Sequence, residues 1–115
     1  MDMLDPARTA LVVVHMSKGA AGKVDNPLNR IFRHRVEEKG VIRVQARLLD
    51  GFRRAKAKVV YTLVTYLPGY PGIRPNSPLF RTLIDNHTLL QGTPAVEVMD
   101  DLAPRPDEPV VRVTI

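Results

Sequence analysis

Thr9-Ala10-Leu11-Val12-Val13-Val14-His15 is a continuous apolar run rich in β-branched residues, bracketed by Asp5-Pro6 and by Ser17-Lys18-Gly19. An unbroken run of this kind predicts a strand buried on both faces, as in parallel sheets. Val59-Val60-Tyr61-Thr62-Leu63-Val64-Thr65 repeats the pattern and predicts a second such strand. Between the two, Val41, Val44, Leu48, Phe52 and Ala55 recur at spacings of three and four, while Arg43, Arg47, Asp50 and Arg54 fall on other faces. That periodicity predicts one amphipathic helix over about residues 36–55, slightly weakened by Gly40 and Gly51. Strand, crossover helix, strand is the βαβ unit, which implies parallel, right-handed pairing.

Outward from this unit the chain is punctuated by turn residues. Residues 17–30 contain glycine, proline and asparagine and read as a loop. Residues 66–78 carry Pro68, Gly69, Pro71, Gly72, Pro75 and Pro78, so no regular element fits there. Ser77-Pro78 opens a short helix, with Ser77 as N-cap, Pro78 at the first position and Leu79, Phe80, Leu83 and Ile84 as its buried side. Gly92-Thr93-Pro94 marks a turn, and residues 95–103 fit one further helical turn around Val96, Val98 and Met99. After the rigid Pro104-Arg105-Pro106-Asp107 loop, Val110-Val111-Arg112-Val113-Thr114-Ile115 begins a third strand. The expected fold is α/β with a Rossmann-like, three-layer parallel sheet, its strands near 9–15, 59–65 and 109–114. Three strands and one long helix are few for such a sheet, so the expectation is a truncated fold, a single partial domain over residues 1–115.

Composition narrows the function classes. The 115 residues include no cysteine, ten prolines and a formal net charge of +5. Zero cysteines exclude a disulfide scaffold, thiolate metal ligation and a cysteine nucleophile within these residues. No apolar run approaches a membrane span, and Met1-Asp2-Met3-Leu4-Asp5-Pro6 lacks the basic and apolar regions of a signal peptide; a cytoplasmic protein without membrane contact is expected. The basic excess is confined to residues 30–58, which carry a net +7. Such a segment reads either as a nucleic-acid surface or as the solvated face of a helix. Only Phe32 and Phe52 interleave with it, and Phe52 belongs to the apolar stripe, which argues against base stacking. Nucleic acid is therefore not the expected partner.

His15 stands at the carboxyl end of the first strand, where open α/β sheets place their ligand crevice. It can act as a base at neutral pH, but it has no identifiable nucleophile to activate, and a partly exposed strand-end histidine is the plainer reading. His34 and His87 show no metal-ligand spacing, and no metal or other cofactor is expected. Gly19-Ala20-Ala21-Gly22 matches neither phosphate-loop pattern. Tyr66, Tyr70 and Arg74 sit in the loop after the second strand, where surface packing is the plainer role and ligand contact the sharper one.

Several strings in order resemble the N-terminal half of the isochorismatase-like cysteine hydrolases: Leu4-Asp5-Pro6-Ala7-Arg8-Thr9-Ala10-Leu11-Val12-Val13-Val14, Ala46-Arg47-Leu48-Leu49-Asp50-Gly51-Phe52-Arg53, Val59-Val60-Tyr61-Thr62, Gly92-Thr93-Pro94-Ala95, and Leu102-Ala103-Pro104-Arg105-Pro106-Asp107-Glu108-Pro109-Val110-Val111. The resemblance covers nearly the whole chain and about half of a complete member. It implies a Rossmann-like sheet in which the first strand lies centrally and pairs with a later strand absent here. It also implies hydrolysis of small molecules by an Asp after the first strand, a Lys on the third and a later Cys. A thiolate attacks once its pKa is lowered and a base takes its proton; the Asp serves as that base.

This chain departs from the set throughout. His15 occupies the Asp position, followed by Met16 and by Ser17 where the family commonly has Gln. Val113 occupies the Lys position; Arg112, the nearest cation, points to the opposite face of its strand. The Cys position lies beyond Ile115. The expected pocket residues are Met16, Ser17, Tyr66, Arg112 and Val113, with His15 the one catalytic candidate. Three functions follow as expectations. The chain is a truncated or degenerate hydrolase homologue, inactive alone, that forms a homo-oligomer or joins a complementing polypeptide through unpaired strand edges. Alternatively the sequence is incomplete and belongs to an active hydrolase of an amide, carbamate or vinyl ether, with a small-molecule ligand. The third is a small basic nucleic-acid-binding module.

Overall fold

The two apolar runs lie side by side as parallel strands. In the computed structural model, which describes residues 3–114, β1 (Ala10–Val14) pairs with β2 (Lys58–Val64), and β2 pairs with β3 (Val110–Val113), all parallel, in the order β1-β2-β3. The register sets Val12 opposite Val60, Val14 opposite Thr62, and Thr62 opposite Val111. This is the expected α/β sheet of three strands; Ile115, the end of the third apolar run, lies outside the described residues. Three helices, α1 (Pro27–Glu38), α2 (Val41–Arg54) and α3 (Pro78–Asp85), complete the regular structure with short 3₁₀ turns at Pro6–Arg8, Pro94–Val96 and Asp100–Leu102. The last two stand where one helical turn was expected, and they bury Val96, Met99 and Leu102. None of these helices is long and apolar enough to cross a membrane.

The single helix expected over 36–55 is two helices. Asn26 caps α1, its side chain accepting the Asn29 N–H at 2.9 Å, and Pro27 sits in the first turn. Residues 27–30 are therefore helical rather than loop. Asn26-Pro27 is the same cap-plus-proline signature as Ser77-Pro78, where Ser77 Oγ accepts the Phe80 N–H at 3.2 Å and α3 begins as expected. Gly40 separates α1 from α2 with a left-handed φ of 61°, a conformation that glycine reaches without steric cost.

The buried stripe of α2 is also displaced. Leu49 is the fully buried residue, supported by Val41, Ile42, Ala46 and Phe52, whereas Val44 and Leu48 are about half exposed and Ala55 is exposed. Spacing alone leaves the phase open where two leucines are adjacent. In α3, Leu83 is buried, Phe80 and Ile84 are half-buried, and Leu79 is about half exposed where it lines a cleft.

The main core lies between α2 and one face of the sheet, where Val13, Val59, Tyr61 and Leu49 meet Met16, Met99 and Leu102. Arg53 closes it at the β3 end. Its guanidinium donates to both Glu108 carboxylate oxygens at 2.9 and 2.6 Å, to Tyr61 Oη at 3.1 Å and to the Ala103 carbonyl at 3.1 Å. Tyr61 Oη in turn donates to the Leu102 carbonyl at 2.7 Å. The other face of the sheet is open: β1 was expected to be buried on both faces, but Val12 and Val14 are half exposed, as is Val111. The difference arises because apolar composition records what a strand can bury, while the cover must come from elsewhere.

Candidate functional site: a cleft at the carboxyl end of the sheet

The chain leaves β1 by a sharp change of direction. His15 adopts a left-handed φ of 56°, and its N–H still donates to the Thr62 carbonyl at 2.9 Å. Beyond it, residues 16–19 run against residues 95–99: Met99 N–H donates to Met16 O at 3.1 Å, Lys18 N–H to Glu97 O at 2.9 Å, and Gly19 N–H to Ala95 O at 2.8 Å. Gly19 is required by that approach, since a Cβ there would stand 2.7 Å from the Ala95 Cβ. The glycines of Gly19-Ala20-Ala21-Gly22 thus serve backbone packing. Lys18 Nζ adds exposed ion pairs to Glu97 and Asp100, at 3.2 and 3.4 Å, and the Glu97 hydrogen bond holds its ammonium above the usual lysine range.

A second redirection follows β2. Tyr66 N–H donates to Leu89 O at 2.9 Å, and Gln91 N–H to Tyr66 O at 2.8 Å. Leu89 and Tyr70 are left-handed at φ 55° and 50°. The Tyr66 and Tyr70 rings lie 5.3 Å apart and tilted, in a second apolar cluster with Leu83, Leu89 and Val96. Packing at the surface was the plainer expectation for these tyrosines, but both are buried; proline-rich flanks signalled a loop and hid the fact that its aromatics turn inward. Burial raises both phenol pKa values, that of Tyr70 with a contribution from Tyr66. Tyr70 Oη donates to the Thr88 carbonyl at 2.6 Å. The Tyr66 hydroxyl makes no hydrogen bond among the described residues, unlike those of Tyr61 and Tyr70.

Between these turns, α1 and α3 lies a cleft of about 450 Å³, within the size range of small-molecule sites. Its floor holds His15, Met16, Ser17, Val64 and Tyr66, and its walls include Phe32 and Leu28 of α1 and Phe80 and Leu83 of α3. The structure thus gathers His15, Met16, Ser17 and Tyr66. It does not bring in Arg112 or Val113: both are exposed, and neither lines the cleft. Register places Arg112 beside Leu63 and Val113 beside Val64, so the two point to opposite faces. Ser17 is buried, and its Oγ accepts the Ala20 N–H at 3.1 Å, which commits that oxygen to the turn. The cleft walls carry no carboxylate and no lysine or arginine, and the described residues hold no cluster of three metal-ligating side chains. Such a cleft can enclose an apolar molecule and offer a hydroxyl and an imidazole at its floor. Leu28 and Phe32 were missed as wall residues because α1 was read as starting later; the Asn26-Pro27 cap would have found them.

A family model described as the isochorismatase domain matches residues 9–114. The chain belongs to the isochorismatase family. A cysteine hydrolase from Pseudomonas syringae pv. phaseolicola 1448A superposes with a TM-score of 0.66 at 26% identity, over 97% of this chain and 49% of its own. A protein of the isochorismatase family from Chromobacterium violaceum ATCC 12472 shares the fold with a TM-score of 0.60 at 18% identity, over 99% of this chain and 46% of its own. The chain therefore spans about half the length of these solved relatives. No curated protein matches it.

Proposed function

We propose that this chain is a degenerate half of an isochorismatase-family hydrolase: one partial domain, cytoplasmic, without hydrolytic activity on its own, and self-associating. The observation that carries the reading is the cleft floor. It presents His15 where the family resemblance implies an aspartate, with no cysteine in the sequence and no cation on its walls. An imidazole with no second group to orient it, no charged partner and no separate nucleophile lacks the constellation that hydrolysis of an amide or carbamate uses. The test is hydrolysis by the purified chain of a panel of small amides, carbamates and vinyl ethers. The expected rate equals that of the buffer, and His15→Ala leaves it unchanged. Turnover lost on His15→Ala would overturn the reading and make His15 catalytic.

The half-length match favours a second reading, in which these residues are the first part of an active hydrolase of such substrates. The subunit mass of the native protein separates the two: near 12.9 kDa supports the degenerate half, and about twice that supports the longer enzyme. Ligand binding without turnover is compatible with the first reading, since Tyr66 leaves a hydroxyl free in a mostly apolar cleft. Nucleic-acid binding through residues 30–58 has less support, because Arg53, Arg30 and Arg35 of that segment are held by Glu108, Asp25 and Glu38.

A further inference from the structure

Tyr66 is the exception among the buried tyrosines. Tyr61 Oη donates to the Leu102 carbonyl at 2.7 Å and Tyr70 Oη to the Thr88 carbonyl at 2.6 Å, as buried phenols ordinarily do. Tyr66 is only 3% exposed, yet its hydroxyl has no partner among the described residues. It is not sealed in, because the fully enclosed side-chain atoms without partners belong to Asn29, Gln45, Thr62 and Thr88. The Tyr66 oxygen therefore keeps an opening, and the cavity that Tyr66 lines is the cleft of about 450 Å³ at the carboxyl end of the sheet. Burial raises the phenol pKa, so the group stays a donor at neutral pH.

The surroundings restrict what this donor can meet. Phe32 of α1 and Phe80 of α3 add aromatic rings to the lining, and Phe32 and Leu79 are about half exposed there. The lining comes from residues 15–36 and 64–89 alone, so the chemistry of these walls is this chain's own. They hold no carboxylate, lysine or arginine, and a charge brought among them without a partner is costly. The net +5 of the chain opposes a cation further. Apolar walls around one placed polar group are the pattern of a small-molecule site. We propose that the cleft binds an uncharged aromatic ketone or ether, whose oxygen accepts a hydrogen bond from the Tyr66 hydroxyl while its ring lies among Phe32, Phe80 and Leu83. The proposal rests on the reading of the cleft as a site that binds without turnover, and it specifies the ligand.

Acetophenone is the probe: it has the ring and the acceptor but no bond to hydrolyse, so its binding is read apart from turnover. The titration uses the purified full chain near pH 8, above the ordinary range of histidine. Acetophenone at millimolar concentration is expected to shift the amide resonances of residues 15–17 and 64–66. Benzoate and benzylamine, which put a negative and a positive charge on the same ring, are expected to bind at least about tenfold more weakly. Ethylbenzene, which lacks the acceptor, is expected to bind about three- to tenfold more weakly. Tyr66→Phe is expected to weaken acetophenone by the same factor, to leave ethylbenzene unchanged, and to leave the melting temperature unchanged, since no protein hydrogen bond is lost. Tyr70→Phe loses one and is expected to lower the melting temperature. Phe32→Lys, at a half-exposed wall position, is expected to reverse the preference towards benzoate. Equal affinity for acetophenone and benzoate, or undiminished acetophenone binding by Tyr66→Phe, would overturn the proposal. No shift with acetophenone would also overturn it and would leave the inactivity of the chain standing. Turnover of the hydrolysable panel would overturn the inactivity alone, and the acetophenone result would still decide the ligand class.

Discussion

The two edges of the sheet are finished differently. At the β3 edge, Arg53 reaches across from α2 to clamp Glu108 with two hydrogen bonds, ties in Tyr61, and leaves little of either charged side chain exposed. At the β1 edge the same helix presents Val44 and Leu48 to solvent, and Gln45 has an acceptor with nothing to bond. One helix thus seals one side of its sheet and overhangs the other. Apolar surface is not in itself a sign of the core; what distinguishes the two sides is whether the chain supplies the opposing surface.

The sharpest test of that contrast uses neighbouring leucines. Leu49→Ala is expected to cost about 4 kcal/mol by urea denaturation, as a large truncation in a closed core does. A cost under about 1 kcal/mol would show that the α2 core is not tightly packed. Next in size is the clamp: Glu108→Gln is expected to cost about 3 kcal/mol at neutral pH, because it breaks a largely buried pair. The Arg53 hydrogen bond is the main cause that holds the Glu108 carboxyl below its ordinary value of 4.5. A depressed folded value stabilises the fold above the unfolded value and loses that contribution as pH falls through the folded one. The gap between wild type and Glu108→Gln is therefore expected to hold from neutral pH to about 4.5 and to close below it; a gap independent of pH would break the assignment. Gly19→Ala follows at about 2 kcal/mol, the cost of overpacking against Ala95. Smallest is Leu48→Ser, expected to change stability by less than about 0.5 kcal/mol. Because each copy carries +5, added salt is expected to strengthen the proposed self-association, opposite to its effect on nucleic-acid binding.

The three strands and the parallel pairing of the first two were legible in the sequence because β-branched runs without polar alternation have few other homes. The Ser77 cap was legible because a hydroxyl before a proline leaves a local mark. Asn26-Pro27 leaves the same mark, but it lies among glycines that read as loop. The phase of α2 was not legible: Leu48 and Leu49 are equally apolar, and only the position of β1 and β2 decides which one is buried. Arg53 was lost in a basic segment because its partner lies 55 residues away. At the site, His15, Met16, Ser17 and Tyr66 came from the family resemblance together with strand ends, which continuous apolar runs mark. Val113 came from the family Lys position and Arg112 from being the cation nearest to it, and neither lines the cleft.

Parallel pairing also sets a clock. Ala10 pairs with Lys58, so 48 residues separate the emergence of β1 from that of its first partner. At the usual pace of synthesis of about 5–20 residues per second, the strand spends roughly 2 to 10 s outside the ribosome with both edges bare. During that interval an uncharged Ala-Leu-Val-Val-Val segment is a seed for cross-β stacking between nascent chains. The wait for β2 is thus a liability of the unfolded precursor, and the yield of soluble chain is expected to rise when translation between codons 10 and 58 is faster.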